Sequence, residues 1–537
     1  MENTTKKHSF IKGAALLGIT GVIVKVLGMV FRIPVLNWIG EEGGAYYGVA
    51  YPVYSLLLVV ATAGLPVAIS RMVSQRTALG KYAAADRVFS IARLLMLGIG
   101  IVSFAICFFG ADAIAHSVNI PGAAPSLRTI APALLFVPIV SSFRGYFQGQ
   151  QIMVPTALSE LVEQSFRVVV GLILAYYFAK TADDMVSASA GATFGASAGS
   201  MMALALMIFI YWLNKDKIKR RAKNSVAEDE SSKEIIKQIL LIAIPITIGA
   251  AIFPLMSTID AWMVPNRLIS AGYSSSQAEN LYGVMSSFCS SLIGFPQVFT
   301  QAVAISLVPA IAAAYERQEK LEVQNNIKLG TRVTLIMGFP CAVGIFVLAE
   351  PILNLLYPLQ PEACATGAPT IMVMSIGIIF LSTIQTLTGA LQGIGKQLIP
   401  VKNLAIGALA KIVVTYFATG IYALNIKGAA LGTLATYIIA TVLNIKDIYK
   451  YTGTKFDFMQ TYIKPFAASV IMGIFVFASH WGLTMILPGA VATLASILIG
   501  VIVYLVLVLL IKAITRDELL VIPMGGKLVK ILDKVWK

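Results

Sequence analysis

The sequence predicts an all-α polytopic membrane protein with fourteen transmembrane helices: two pseudo-symmetric six-helix lobes plus two extra C-terminal helices. Three observations predict it. Of 537 residues, 58% are hydrophobic and only 12% are charged, about half the charged share of a soluble domain. Mean hydropathy is +0.82. The apolar residues form runs as long as the roughly 20 residues a helix needs to cross a bilayer core, and such runs recur to the end of the chain. A membrane β-barrel would show short alternating segments instead.

The expected spans are 10–38, 46–73, 87–112, 128–150, 156–179, 187–213, 236–266, 282–313, 329–357, 367–393, 402–425, 429–448, 464–486 and 488–513. The opening stretch MENTTKKHSFIKG puts lysines ahead of an apolar run with no small-residue cleavage site, so the first span is read as uncleaved. Net charge is 41 − 26 = +15. This balance is expected from basic cytoplasmic loops and attraction to anionic lipid, not from nucleic acid. One set of loops holds Lys6, Lys7, Lys12, Arg71, Arg76, Lys81, Arg87, the run from Lys215 to Lys223, Arg317, Lys320, Lys396, Lys446, Lys450 and Lys455. The opposite set holds few cations: Arg128, Lys180, Arg267 and Lys427. Both termini are therefore expected in the cytoplasm.

Residues 214–234, NKDKIKRRAKNSVAEDESSKE, read as a solvated charged linker that divides the chain. The expected domains are 1–213 (first lobe), 214–234 (linker), 235–450 (second lobe), 451–513 (two extra helices) and 514–537 (an amphipathic basic tail on the inner membrane surface). The lobes resemble each other. Tyr47-Gly48-Val49 precedes Val67-Ala68-Ile69-Ser70 by 20 residues, and Tyr282-Gly283-Val284 precedes Val303-Ala304-Ile305-Ser306 by 21. Gln148-Gly149 lies 19 residues before Arg167, as Gln392-Gly393 lies 19 before Lys411. Duplicated lobes are an architecture of alternating-access transporters. In the hinge RGYFQGQQIMVP, Gly145, Gly149 and Pro155 are expected to break the helix, and Gln148, Gln150 and Gln151 to satisfy the freed backbone.

Ionisable groups inside spans are costly and mark pathways by default. Lys25 and Arg32 lie seven residues apart in span one, and Asp260 and Arg267 seven apart in span seven. Seven residues are about two helical turns, so each pair shares a face. Together they suit an anionic substrate, since arginine clamps phosphate through two hydrogen bonds. Lys25, Arg32 or Arg267 could instead snorkel to an interface. Asp260 is either Arg267's partner or a proton or sodium site. Glu160, Glu163 and Arg167 share one face of span five and read, with Arg144, as an ion-pair cluster fixing the hinge. Arg144 has a second reading as a contact to a lipid headgroup. Gly191, Gly195 and Gly199 form a small-residue packing stripe. Trp38, Trp212, Trp262 and Trp481 read as interfacial anchors. Cys107, Cys289, Cys341, Cys364, His8, His116 and His480 show no metal or redox spacing. No cofactor, metal or catalytic residue is expected, and nothing demands more than a monomer.

The stretches RGYFQGQQIMVPTALSELVEQSFR and KVLGMVFRIPVLNWIGEEGGAYYGVAYPVYSLLLVVATAGLPVAIS resemble the stage V sporulation protein B-like branch of the multidrug/oligosaccharidyl-lipid/polysaccharide (MOP) flippase superfamily, which includes the MurJ-type lipid II flippases. The resemblance covers essentially the whole chain. It implies a flippase of a bacterial cytoplasmic membrane that carries an undecaprenyl-pyrophosphate-linked peptidoglycan precursor between leaflets. It also implies a central cationic cavity and a tail groove on the two extra helices. Arg32 and Lys25 fall at basic cavity positions of span one. The family's span-eight arginine is missing from SSFCSSLIGFP, and Arg267 is the candidate substitute. Coupling to membrane potential, H+ or Na+ is expected.

Three alternatives stay open. One is a flippase for another polyprenyl-linked glycan, of capsule, teichoic or spore-cortex type. A multidrug or cation antiporter would call for cavity acids, whereas bases outnumber acids here. A membrane glycosyltransferase needs a catalytic acid pair, and none is visible.

Overall fold

The computed structural model describes residues 2–223, 225 and 230–513, with no strand among them. The helices are α1 (Glu2–Thr62), α2 (Leu65–Ala78), α3 (Tyr82–Phe109), α4 (Ala111–Ser117), α5 (Ala123–Ile130), α6 (Ala133–Gly149), α7 (Val154–Tyr177), α8 (Met185–Leu213), α9 (Lys215–Lys223), α10 (Ser232–Ser270) and α11 (Ser275–Gly283). A π turn, Val284–Cys289, leads into α12 (Ser290–Glu316), α13 (Lys320–Val347), α14 (Ala349–Leu356), α15 (Pro361–Gly393), α16 (Leu398–Thr419), α17 (Ile426–Thr452), α18 (Lys464–Leu483) and α19 (Gly489–Leu510). The expected tail 514–537 lies outside the described residues, as do positions 226–229 of the linker.

Thirteen candidate membrane spans occur among the described residues, and the first runs from Leu16 to Ala78. That first one holds two spans. Gly40 has φ 63° and ψ −162°, a conformation open to glycine alone at low cost. In a continuous helix Arg32 and Tyr47 would be about 22 Å apart along the axis. Instead the Arg32 guanidinium carbon lies 5.5 Å from the Tyr47 ring centre. The chain reverses at Gly40, and α1 is a helical hairpin. The expected spans 10–38 and 46–73 lie on its two sides, which gives the fourteen.

Span two differs from expectation in being broken, with α1 ending at Thr62 and α2 starting at Leu65. The cause is local. Pro66 sits in the first turn of α2, where a proline cannot donate to the preceding turn.

The hinge is a helix–turn–helix, and two details correct the sequence reading. Gly145 lies inside α6, and a Cβ there would stand 2.8 Å from the Pro66 carbonyl oxygen; it permits close packing and does not end the helix. The turn's amides are satisfied by backbone: Gln151 N–H donates to the Gln148 carbonyl and Ile152 N–H to the Phe147 carbonyl, both at 2.9 Å. Gln151 itself has φ 62°. Residues Lys215–Lys223 form α9, and Ile218 packs on the core.

The chain forms two compact units, Met1–Phe288 and Cys289–Lys537. The first is built on Ile69 and Met72 of α2, Phe89 and Met96 of α3, Phe143 and Tyr146 of α6, and Ile239 and Ala243 of α10. The second holds one cluster on Leu307, Ile327, Leu387 and Leu391, and another that joins α18 and α19 to α13 through Met472, Val476 and Tyr504. The Tyr504 hydroxyl donates to the Ile336 carbonyl at 2.7 Å, and buried Arg332 donates through Nε to the Ala513 carbonyl at 2.9 Å. Lipid tails are as apolar as leucine, so such hydrogen bonds and close packing hold membrane helices together more than burial does.

Candidate functional site

Within the first unit, close helix contacts fix one cluster of charged and aromatic groups. Gly195 and Gly199 of α8 abut α7 directly: Cβ atoms there would stand 2.4 Å from the Arg167 carbonyl oxygen and 2.2 Å from that of Glu163. This seats the backbone of α7 so that its charged side chains meet α6 and α1. The Arg144 guanidinium of α6 donates through Nη2 to Glu163 at 2.8 Å and through Nε to the Ser159 hydroxyl at 2.8 Å. Glu160, on the same face of α7, lies within the field of Arg144. Four sequence-selected residues, Arg144, Glu160, Glu163 and Arg167, are thus brought together, with Glu163 as the partner of Arg144.

Arg167 also reaches α1. Past the Gly40 reversal, Tyr47, Tyr51 and Tyr54 recur at i, i+4 and i+7, one helix face. Tyr47 and Tyr51 stack with centroids 5.5 Å apart and planes 11° apart, and Tyr54 continues at 6.0 Å from Tyr51. Arg32 lies over Tyr47 at 5.5 Å, and Arg167 lies over Tyr51 at 5.8 Å. Arg167 also acts electrostatically on Tyr54. Two arginines from different helices therefore bracket a ladder of tyrosines. Lys25 is exposed, two turns before Arg32 on α1. Counting these groups alone, cations (Lys25, Arg32, Arg144, Arg167) outnumber carboxylates (Glu160, Glu163). The tyrosines are the residues that sequence reasoning missed, although their spacing was readable.

Asp260 and Arg267 are placed on α10. Asp260 acts electrostatically on Tyr282, and the residue before Arg267, Asn266, holds α10 to the end of α4. Its amide donates to the Ser117 carbonyl at 3.1 Å and its oxygen accepts from Asn119 at 2.7 Å. Both residues are half-buried.

The other face of α1 meets α11 and the π turn. The Tyr282 hydroxyl donates to the Gly48 carbonyl at 2.8 Å, and the Ser287 hydroxyl to the Gly44 carbonyl at 2.6 Å. A Cβ on Gly48 would stand 2.1 Å from Ser286 Oγ, and one on Gly283 would stand 2.0 Å from the Glu41 carbonyl oxygen. Near this contact, the Tyr46 hydroxyl donates to Glu42 at 2.8 Å and lies close enough to Glu279 to act on its carboxyl. Burial pushes the Glu279 carboxyl above the usual carboxylate range, the neighbouring Tyr46 hydroxyl opposes this, and Glu42 adds to the rise. Among the described residues, no group of three or more His, Cys, Asp or Glu could hold a metal ion.

Residues 10–314, more than half of the chain, match the family described as Polysaccharide biosynthesis protein. The chain belongs to this family. Residues 283–417 also match the family described as MatE. The Bacillus subtilis (strain 168) protein named Uncharacterized membrane protein YabM is 28% identical, over 98% of each chain. Stage V sporulation protein B of the same organism is 27% identical, over 97% of this chain and 99% of its own length. Its Lipid II flippase MurJ is 27% identical, over 88% of each chain. These relatives are the branch that the two sequence stretches resembled. Among solved structures, an inward-facing multidrug resistance MATE family transporter of the MOP superfamily superposes with TM-score 0.67 and 16% identity, over 82% of this chain and 99% of that one. Lipid II flippase MurJ in an inward closed conformation gives TM-score 0.66 and 15% identity, over 92% and 98%. The fold is therefore that of these all-helical multi-pass membrane proteins. The kin whose names state a role, Lipid II flippase MurJ and the MATE family transporter, are a flippase and a transporter.

Proposed function

We propose that the chain is a flippase for a polyprenyl-linked glycan, and that the lipid-linked peptidoglycan precursor lipid II is its substrate. The observation that carries this reading is the ladder Arg32–Tyr47–Tyr51–Arg167. A pyrophosphate-bearing sugar head cannot cross hydrocarbon unaided. Guanidiniums meet phosphate with charge-assisted paired hydrogen bonds, and tyrosine rings offer flat apolar faces with a polar edge for a sugar. Lys25 and Arg32 would receive the head, and Arg167 would hold it deeper, with Arg144, Glu160 and Glu163 keeping α6 and α7 in register. Arg267 on α10 remains a candidate for the missing span-eight arginine. The names Lipid II flippase MurJ and Stage V sporulation protein B among the relatives support the reading.

The cycle is alternating access between the two repeats, in a bacterial plasma membrane with both termini cytoplasmic and the protein acting as a monomer. With the inside negative, export of a negative head and return of a positive empty site both gain from the potential, about 2.3 kcal/mol per charge per 100 mV. Asp260 is the candidate proton or sodium site if an ion gradient contributes. A flippase for another polyprenyl-linked glycan is the second reading, favoured by the description of the matched family as Polysaccharide biosynthesis protein. The test is expression in bacteria depleted of their own lipid II flippase, with outer-leaflet lipid II labelled against the total pool. Restored exposure supports lipid II. Absent exposure at normal protein levels leaves the second reading.

A further inference from the structure

One end of the second unit gathers three lysines from three separate helix ends. Lys320 opens α13, Lys396 lies in the turn between α15 and α16, and Lys450 is in the last turn of α17. The Lys396 and Lys450 ammonium groups lie 5.4 Å and 5.3 Å from the centre of the Tyr451 ring. Lys320 reaches over Gly453, where a Cβ would stand 3.9 Å from Lys320 Nζ. Left-handed residues beside each lysine set these ends: Gln318 (φ 60°), Gly395 (φ 73°) and Gly453 (φ 70°). A cavity of about 410 Å³ is lined by Tyr315, Glu316, Gln318, Lys320, Tyr451 and Thr452; Lys320 is on its wall, and Lys396 and Lys450 flank it through the Tyr451 ring.

Three acids border this end besides Glu316: Glu319, Glu322 and Asp447, the last accepting from Asn403 at 2.8 Å. Glu319 and Glu322 are already paired with Arg317, at 2.7 Å and 3.1 Å. On the lining itself Glu316 faces Lys320, and Lys396 and Lys450 add two cations beside the Tyr451 ring. Cation–π contact explains where two of the lysines point. It does not explain the cavity or the third lysine. A cavity of this size falls within the roughly 300–1,000 Å³ of small-molecule pockets, and basic pockets between membrane helices take phosphorylated headgroups.

We propose that this cavity binds a phosphate-bearing anion, with Lys320 on its wall and Lys396 and Lys450 beside the Tyr451 ring completing the basic site. The loops that carry these lysines are expected on the cytoplasmic side, where either an anionic phospholipid headgroup or soluble phosphate is at hand. The proposal is independent of the flippase reading, because its readout is binding and not transport.

The full-length protein is placed in phosphatidylcholine nanodiscs and offered fluorescent phosphatidylglycerol in one arm and inorganic phosphate in the other. The expected result is retention of phosphatidylglycerol, weakened about tenfold or more when Lys320→Gln, Lys396→Gln and Lys450→Gln are combined and restored when the same lysines become arginine. Phosphate that raises the Tm of the wild type but not of the glutamine variant, with no lipid preference, assigns the site to soluble phosphate. Equal binding of both probes by the wild type and the glutamine variant overturns the proposal, and so does a wild type that binds neither. Should the combined variant be unstable, Lys396→Gln in its exposed turn supplies the same comparison.

Discussion

The Tyr282 hydroxyl donates a 2.8 Å hydrogen bond to the carbonyl of Gly48. The two Tyr-Gly-Val copies of the sequence repeat therefore meet each other, 234 residues apart in the chain. Glycine is required on both sides, because a Cβ on Gly48 or Gly283 would overlap Ser286 or the Glu41 carbonyl. Both copies thus contribute to one contact, held by two hydroxyl-to-carbonyl bonds.

The first prediction concerns that contact. Gly48→Ala inserts a methyl group where Ser286 Oγ would be 2.1 Å away, so it should destabilise the described state by about 1–3 kcal/mol. Ser286→Gly, added to it, removes the obstructing atoms and should recover much of the loss. Thermal unfolding of the single and double variants checks this. Equal Tm values for wild type and Gly48→Ala would refute the tight fit.

A second prediction separates the tyrosine ladder from mere packing. Tyr51→Leu removes both the stack on Tyr47 and the seat of Arg167, whereas Tyr51→Phe keeps the ring. A cation–π contact is worth about 0.5–2 kcal/mol, so Tyr51→Leu should weaken substrate binding several-fold while Tyr51→Phe stays near wild type. Titration of the purified protein with lipid II reads the difference. Similar affinity in both variants would remove the ladder from the site.

Third, Arg144 and Glu163 should act as a unit. Both side chains are mostly buried, at 14% and 19% exposure. Arg144→Gln and Glu163→Gln should each destabilise by about 1–3 kcal/mol, because each leaves a partner unsatisfied. The double variant should lose clearly less than the sum. Strict additivity in a double-mutant cycle would show that the pair is not coupled.

Fourth, Glu279 should make stability fall as pH rises. Its folded carboxyl is held above the usual range, mainly by burial, with Tyr46 opposing and Glu42 adding to the rise. Below the unfolded pKa both states are protonated and this contribution is complete. Above it the unfolded chain loses the proton first, so stability declines until pH passes the raised folded pKa. Glu279→Gln should flatten that decline in Tm over the weakly acidic range. An unchanged slope would place the effect elsewhere.

Much of the fold was legible because membrane spans are written in long apolar runs, and the hinge glycine and proline marked the turn between α6 and α7. The break at Thr62–Leu65 was harder to see, since Pro66 lies inside an otherwise apolar run. The site was half legible. Helix spacing groups Glu160, Glu163 and Arg167 on one face of α7, and the Arg144–Glu163 hydrogen bond joins α6 to that face. The link from Arg32 to Arg167 was not legible. It depends on the reversal at Gly40 and on Gly195 and Gly199 seating α7, and neither is a local pattern around the arginines. Tyr47 was noticed only as part of a repeat marker, though Tyr47, Tyr51 and Tyr54 carried a helix-face spacing of their own.

The measurement closest to the central claim is lipid II translocation by the purified protein in proteoliposomes under an imposed membrane potential. Arg32→Gln and Arg167→Gln are compared with wild type and with Arg128→Gln, a charge at the exposed Asp112 pair. The account predicts wild-type translocation that is retained in Arg128→Gln and lost in either ladder variant at equal protein levels. Full translocation by both ladder variants would contradict it.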